Sequence, residues 1–122
     1  MPLSVFSGGI MCRFKESIAV KFGVNVAIVA QFIWDSIKQG NYDGKEYFRS
    51  GRKWCRCSVL MMTGFFPFLS RRMAARAISV LVNENVLQKG CFNENRFDHT
   101  NWYTFTDYGS YLMREGDVNE QK

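Results

Sequence analysis

Arg71, Arg72 and Arg76 fall at helical spacing in RRMAARAIS, with Ser79 one turn further on. A guanidinium is a planar fork of N–H donors, a shape that fits phosphate oxygens or the outer edge of guanine. The chemistry these residues suggest is recognition of a polyanion. A plainer reading is that they solvate the exposed face of an amphipathic helix. Bond-making chemistry finds much less to work with. The single histidine, His99, has no serine, cysteine or carboxylate at a spacing that suggests a partner, so it reads as a hydrogen-bond donor at a loop tip rather than a base. The chain has no Gly-rich phosphate loop, no H-E-x-x-H, no G-x-S-x-G and no paired carboxylates on one face, and the expectation is a protein that is not an enzyme. Cys12, Cys55, Cys57 and Cys91 contain no C-x-x-C pair and no zinc spacing. They read as reduced thiols of a cytoplasmic protein, with no metal and no cofactor expected.

The arginines need a helix, and its signals are local. Ser70, itself a candidate DNA contact beside the arginines, can cap an orphan backbone N–H, while Pro67 discourages helix before it, so a helix is expected from Arg71. Ala74, Ala77, Ile78 and Leu81 make its apolar face, leaving Arg72, Ala75, Arg76 and Ser79 on the other side. Ahead of it, Ser58 caps a shorter helix whose inner side is read as Leu60, Met61, Phe65 and Phe66, with Phe68 and Leu69 filling the junction. Behind it, Asn85 can take the left-handed conformation that closes a helix, and Val86 and Leu87 begin a strand. The polar run NENRFDHTN then separates that strand from WYTFT, too long for a two-residue turn. Helix, turn, basic helix and hairpin make a winged helix-turn-helix: mainly α with a small antiparallel β-hairpin. Asn93, Asn95, Arg96 and His99 are the candidate contacts of the wing, and Lys89 and Arg96 flank the helix. Tyr103 and Phe105 are read as core and Trp102 as a brace for the wing, against the alternative that these aromatics stack on single-stranded bases.

The remaining elements must support that unit. The 122 residues allow one domain, and 47% hydrophobic and 16% aromatic content is too rich for disorder. The formal charge is +5, but between Lys45 and Lys89 nine basic residues face two acidic ones, a net +7. Positive charge therefore gathers where contacts to a polyanion are expected. Residues 1–12 read as an N-terminal arm, 13–113 as the domain and 114–122 as a polar tail or truncated linker. A first helix is expected from about Arg13 to Phe22, ended by Gly23. Asn25 then caps a second, to about Lys38, stopped by Gly40. That second helix is apolar nearly all round, through Val26, Val29, Ala30, Ile33 and Ile37 and also Ile28, Phe32 and Trp34. It belongs either in the core or in a homodimer interface. Asn41 to Lys45 is a loop. Glu46 to Arg56 holds one or two short strands turning at Ser50-Gly51, with Trp54 inward and Arg52, Lys53 and Arg56 either on backbone phosphates or protecting a solvated edge. Tyr108 to Met113 forms a last helical turn. No secretory signal is read at the N-terminus, and no apolar run approaches the roughly 20 residues a bilayer demands.

These residues resemble a known family. Phe-Pro-Phe-Leu-Ser at 66–70, the helix Arg-Arg-x-Ala-x-Arg-Ala-Ile-x-x-Leu at 71–81, Val-Leu-Gln-Lys-Gly at 86–90 and Asn-Arg-Phe-Asp-His-Thr-Asn-Trp-Tyr-Thr at 95–104 are similar to the N-terminal winged-helix domains of DnaD-like replication initiators and replisome organisers of phages and mobile elements in Gram-positive bacteria. Upstream, residues 18–33, Asp43-Gly44 and Arg52-Lys53-Trp54 extend the similarity, which covers about residues 17–106. It implies that the recognition helix and wing bind origin DNA. A separate C-terminal region of that family binds helicase-loading partners, and this sequence stops just after the winged helix. Two other roles keep the same architecture: a small transcriptional repressor, or a winged helix that docks a protein partner.

Overall fold

The computed structural model describes the backbone at residues 3–7, 10–39 and 47–120, and side chains at 14–39 and 47–114. In chain order the elements are β1 (Leu3–Ser7), β2 (Ile10–Phe14), α1 (Glu16–Phe22), α2 (Val24–Gln39), β3 (Tyr47–Arg49), β4 (Arg52–Arg56), α3 (Val59–Phe65), α4 (Arg71–Asn83), β5 (Leu87–Gly90), β6 (Trp102–Phe105) and α5 (Asp107–Glu120). The architecture is α+β, with more sheet than one small hairpin. β3 to β6 form a four-stranded antiparallel sheet in the order β3-β4-β6-β5, and β1 and β2 pair separately.

α2 is the centre of the core. Val29, Ala30 and Ile33 are 0% exposed, and Val26, Ala27, Ile28 and Trp34 are buried with them. The protein itself therefore covers the apolar surface that was open to a dimer reading. α2 packs on α1, α4 and β2, and its Trp34 meets Phe105 of β6 edge-on with ring centroids 5.1 Å apart. Cys55, Tyr103 and Phe105 turn the sheet's inner face onto this core. On the other face, Tyr47, Trp54, Phe92 and Trp102 form a second cluster of rings 5.0 to 5.3 Å apart. Period-two alternation on β4 and β6 divides the two sets.

Local signals act as their chemistry requires at several junctions. Gly23, at φ 105°, separates α1 from α2. Ser50 and Gly51 carry φ of 55° and 75° and turn β3 into β4, the paired positive values of a tight hairpin. Other boundaries move. β2 runs to Phe14, so α1 begins at Glu16 rather than Arg13, and the expected arm contains a strand pair. α2 begins at Val24, one residue before its expected cap Asn25. α5 starts at Asp107, where the Thr106 hydroxyl accepts from Gly109 N at 2.9 Å, and continues through the expected polar tail to Glu120. Gly40 and the loop Asn41 to Lys45 lie outside the described residues.

Candidate nucleic-acid interface

α3 and α4 each start on a serine. Ser58 Oγ accepts from Met61 N and Ser70 Oγ from Met73 N, both at 3.1 Å. Ser70 is thus a structural cap first, although the residue stays exposed. Ala74, Ala77, Ile78 and Leu81 are buried, which fixes the rotation of α4. At 100° per residue, Arg72, Ala75, Arg76, Ser79 and Asn83 then form one outward stripe, with Arg71 to its side. All six are exposed. Among the described residues, no ion pair or hydrogen bond ties Arg71, Arg72 or Arg76 to the protein. On α3 the residue sealed into the core is Met62, while Leu60 is 60% exposed and Phe65 partly so, a rotation from the inner side expected of this short helix.

The end of α4 fixes where the hairpin leaves. Asn85 sits at φ 62°, Val86 N donates to Leu81 O at 2.9 Å, and Asn85 N to Val82 O at 3.1 Å. This is the double closure of a Schellman motif, and it sends the chain directly into β5. Between helix and hairpin lies a groove of about 310 Å³, walled by Ala75, Ser79 and Asn83 on one side and Lys89 and Asn101 on the other, with Tyr103 also lining it. The structure therefore brings Ser79 and Lys89 into one concavity.

The loop from β5 to β6 is held by its own polar groups. Asn93 Nδ2 donates to the carbonyls of Asp98 (2.9 Å) and Thr100 (2.8 Å), while its Oδ1 accepts from Trp102 Nε1 (2.8 Å) and Arg56 Nε (3.1 Å). Asp98 accepts from the Thr100 amide and hydroxyl through one oxygen and pairs with Arg56 through the other. Those bonds hold its carboxyl below the usual carboxylate range, Thr100 contributing most and Arg56 after it. Asn95 takes the Phe97 amide at 2.9 Å. Left outward are Glu94, Asn95, Arg96, Phe97 and His99.

Three expected contacts are redirected by this arrangement. Arg56 and Asn93, read as DNA contacts, brace the loop from inside. Arg52, read as a phosphate contact, donates to Phe105 O at 2.9 Å and pairs with Asp107 at 3.2 Å. Each guanidinium found acceptors far away in sequence, which charge counting along the chain does not reveal. Lys53 lines a different cavity of about 320 Å³, with Lys38, Arg52 and Arg114, sharing no residue with the groove beside α4. Trp102 braces the loop and is 2% exposed, so the exposed aromatic of this loop is Phe97, 73% exposed, which sequence reading passed over. Its only prior signal was an apolar residue in an otherwise polar run.

Among the described residues, no three of His, Cys, Asp and Glu come together to hold a metal, and no helix is long and apolar enough to cross a membrane. Compared with family models, curated proteins and solved structures, the chain gives no match.

Proposed function

We propose that the chain binds double-stranded DNA as a winged helix-turn-helix, with α3 and α4 as the paired helices and the β5–β6 hairpin as the wing. The observation that carries this is the outward stripe of α4: Arg72 and Arg76, with Arg71 beside them, are exposed and lack a partner among the described residues. Unpaired cations on a helix whose other face is buried are available to phosphates and to base edges in a major groove. Lys89, Asn95, Arg96 and His99 extend that surface along the hairpin. The resemblance of residues 17–106 to DnaD-like initiators supports replication initiation of a phage or mobile element as the setting, with replication proteins as partners. A homodimer would place two such helices on paired half-sites, through a surface other than α2.

The test is fluorescence anisotropy with a random-sequence duplex at two salt concentrations. Salt-sensitive binding is expected, and its absence removes the proposal. In that event the docking of a protein partner becomes the better reading, favoured by the exposed apolar residues Leu60, Phe65 and Phe68 along α3 and its turn.

A further inference from the structure

A lone apolar side chain on a protein surface calls for no explanation. Phe97 differs in its support, its neighbour and its place. Asn95 accepts from the Phe97 amide, Asp98 N donates to Asn95 O at 2.9 Å, and Asn93 and Asp98 lock the rest of the loop inward. The ring is thus held out by an ordered loop, so little conformational freedom remains to be lost when something packs on it. The Arg96 guanidinium lies 5.0 Å from the ring centroid, over one face, and the ring is 73% exposed, which leaves the opposite face open. An open π-face beside an exposed cation matches a nucleotide, base on the ring and phosphate near the guanidinium. The loop also joins β5, which carries exposed Lys89, to β6, on the hairpin that follows α4.

We infer that Phe97 is a nucleobase-stacking tip. This rests on the DNA-binding reading and deepens it. The base can come from two sources, an unpaired nucleotide beside a duplex or a base step that the ring enters, and the π-face offered is the same in both. Entering a step must first unstack it, whereas an unpaired base is already open. DNA with an unpaired stretch next to duplex is therefore the preferred ligand, a property suited to a protein that acts where strands begin to separate.

The experiment uses the full chain and two fluorescent probes: a random-sequence duplex, and the same duplex with an unpaired thymine tail. Wild-type protein should bind the tailed probe roughly tenfold more tightly, the order of one base stacked on one aromatic ring. Phe97→Ala and Phe97→Leu should both bring that ratio to about one, and Phe97→Trp should keep it, with indole fluorescence quenched by the tail. Arg72→Ala should weaken both probes and leave the ratio intact. A 2-aminopurine in the tail that responds to binding supports capping of an unpaired base; one inside the duplex that brightens supports entry into a step. A wild-type ratio near one with neither 2-aminopurine responding, or a ratio unaltered in Phe97→Ala, overturns the stacking tip while duplex binding stands. No binding to either probe overturns both readings together.

Discussion

Arg56 and Arg72 carry the same side chain in opposite circumstances. Arg56 is half-buried, paired with Asp98 and bonded to Asn93; Arg72 is exposed without a partner among the described residues. Removing Arg72 should weaken DNA binding by about 1–3 kcal/mol at one base position if it reads a base, and equally on every sequence if it meets phosphate. Anisotropy against a set of single-base variants of one bound duplex separates these outcomes, and no loss on any of them discards Arg72 as a contact. Asp98 gives a prediction in pH. Its folded value lies below its unfolded one, so what it contributes to holding the loop is present above about pH 4 and is lost as pH falls through the lowered value. The Thr100 amide resonance should titrate below the ordinary carboxylate midpoint, and Asp98→Asn should abolish that titration. A midpoint at or above ~4 contradicts the bonding described. Burial pushes the thiols of Cys55 and Cys57 up to about 12, whereas Cys91 is exposed. In a Cys12→Ser background at pH 8, a maleimide should label one site quickly and the other two only after denaturant is added.

At the level of elements, the informative position is Gly109 of α5. An added Cβ would come 2.1 Å from the Val86 carbonyl oxygen, a backbone atom that cannot swing aside. Alanine gains about 1 kcal/mol of helix propensity over glycine. Forcing α5 away from the start of β5 is worth more, so Gly109→Ala should destabilise by a net 1–2 kcal/mol or so, read as a lower denaturant midpoint at unchanged slope. An unchanged or raised midpoint would show that α5 does not pack as described. Elements were legible where their causes lie within a few residues. Ser58, Ser70, Asn85 and Ser50-Gly51 act on neighbours in the chain, and the four buried positions of α4 repeat at one period. The facing of α3 was not, since seven residues of nearly continuous apolar character leave the rotation to whatever packs against them. α5 was read only as a last turn from Tyr108 to Met113, and its start was missed because its cap, Thr106, reads as an ordinary strand residue until its hydroxyl turns back onto Gly109 N.

Across the whole molecule, charge and topology divide differently. Net positive charge was visible in the sequence, and so was its concentration between Lys45 and Lys89. Its division was not: the sheet order β3-β4-β6-β5 sets Arg52 and Lys53 around one cavity and Ser79 and Lys89 around another, while Arg56 turns to Asp98 across 42 positions. A shorter cation set on the α4 and hairpin side has a measurable consequence for the proposed DNA binding. If Arg71, Arg72, Arg76, Lys89 and Arg96 all meet phosphate, the salt slope should approach about −4.5 in log–log form. A slope steep enough to demand more contacts would bring Lys53 and its cavity into the footprint.

The Schellman closure at Asn85 and the bonded interior of the loop beyond it leave almost no hinge between α4 and the hairpin. If the chain binds duplex DNA as proposed, a surface this stiff makes the double helix do the adjusting. Among duplexes of matched contact sequence, those with pliant TA or CA steps between the two contact zones should be bound more tightly than those with unyielding A-tracts, so preference would arise at base pairs no side chain touches.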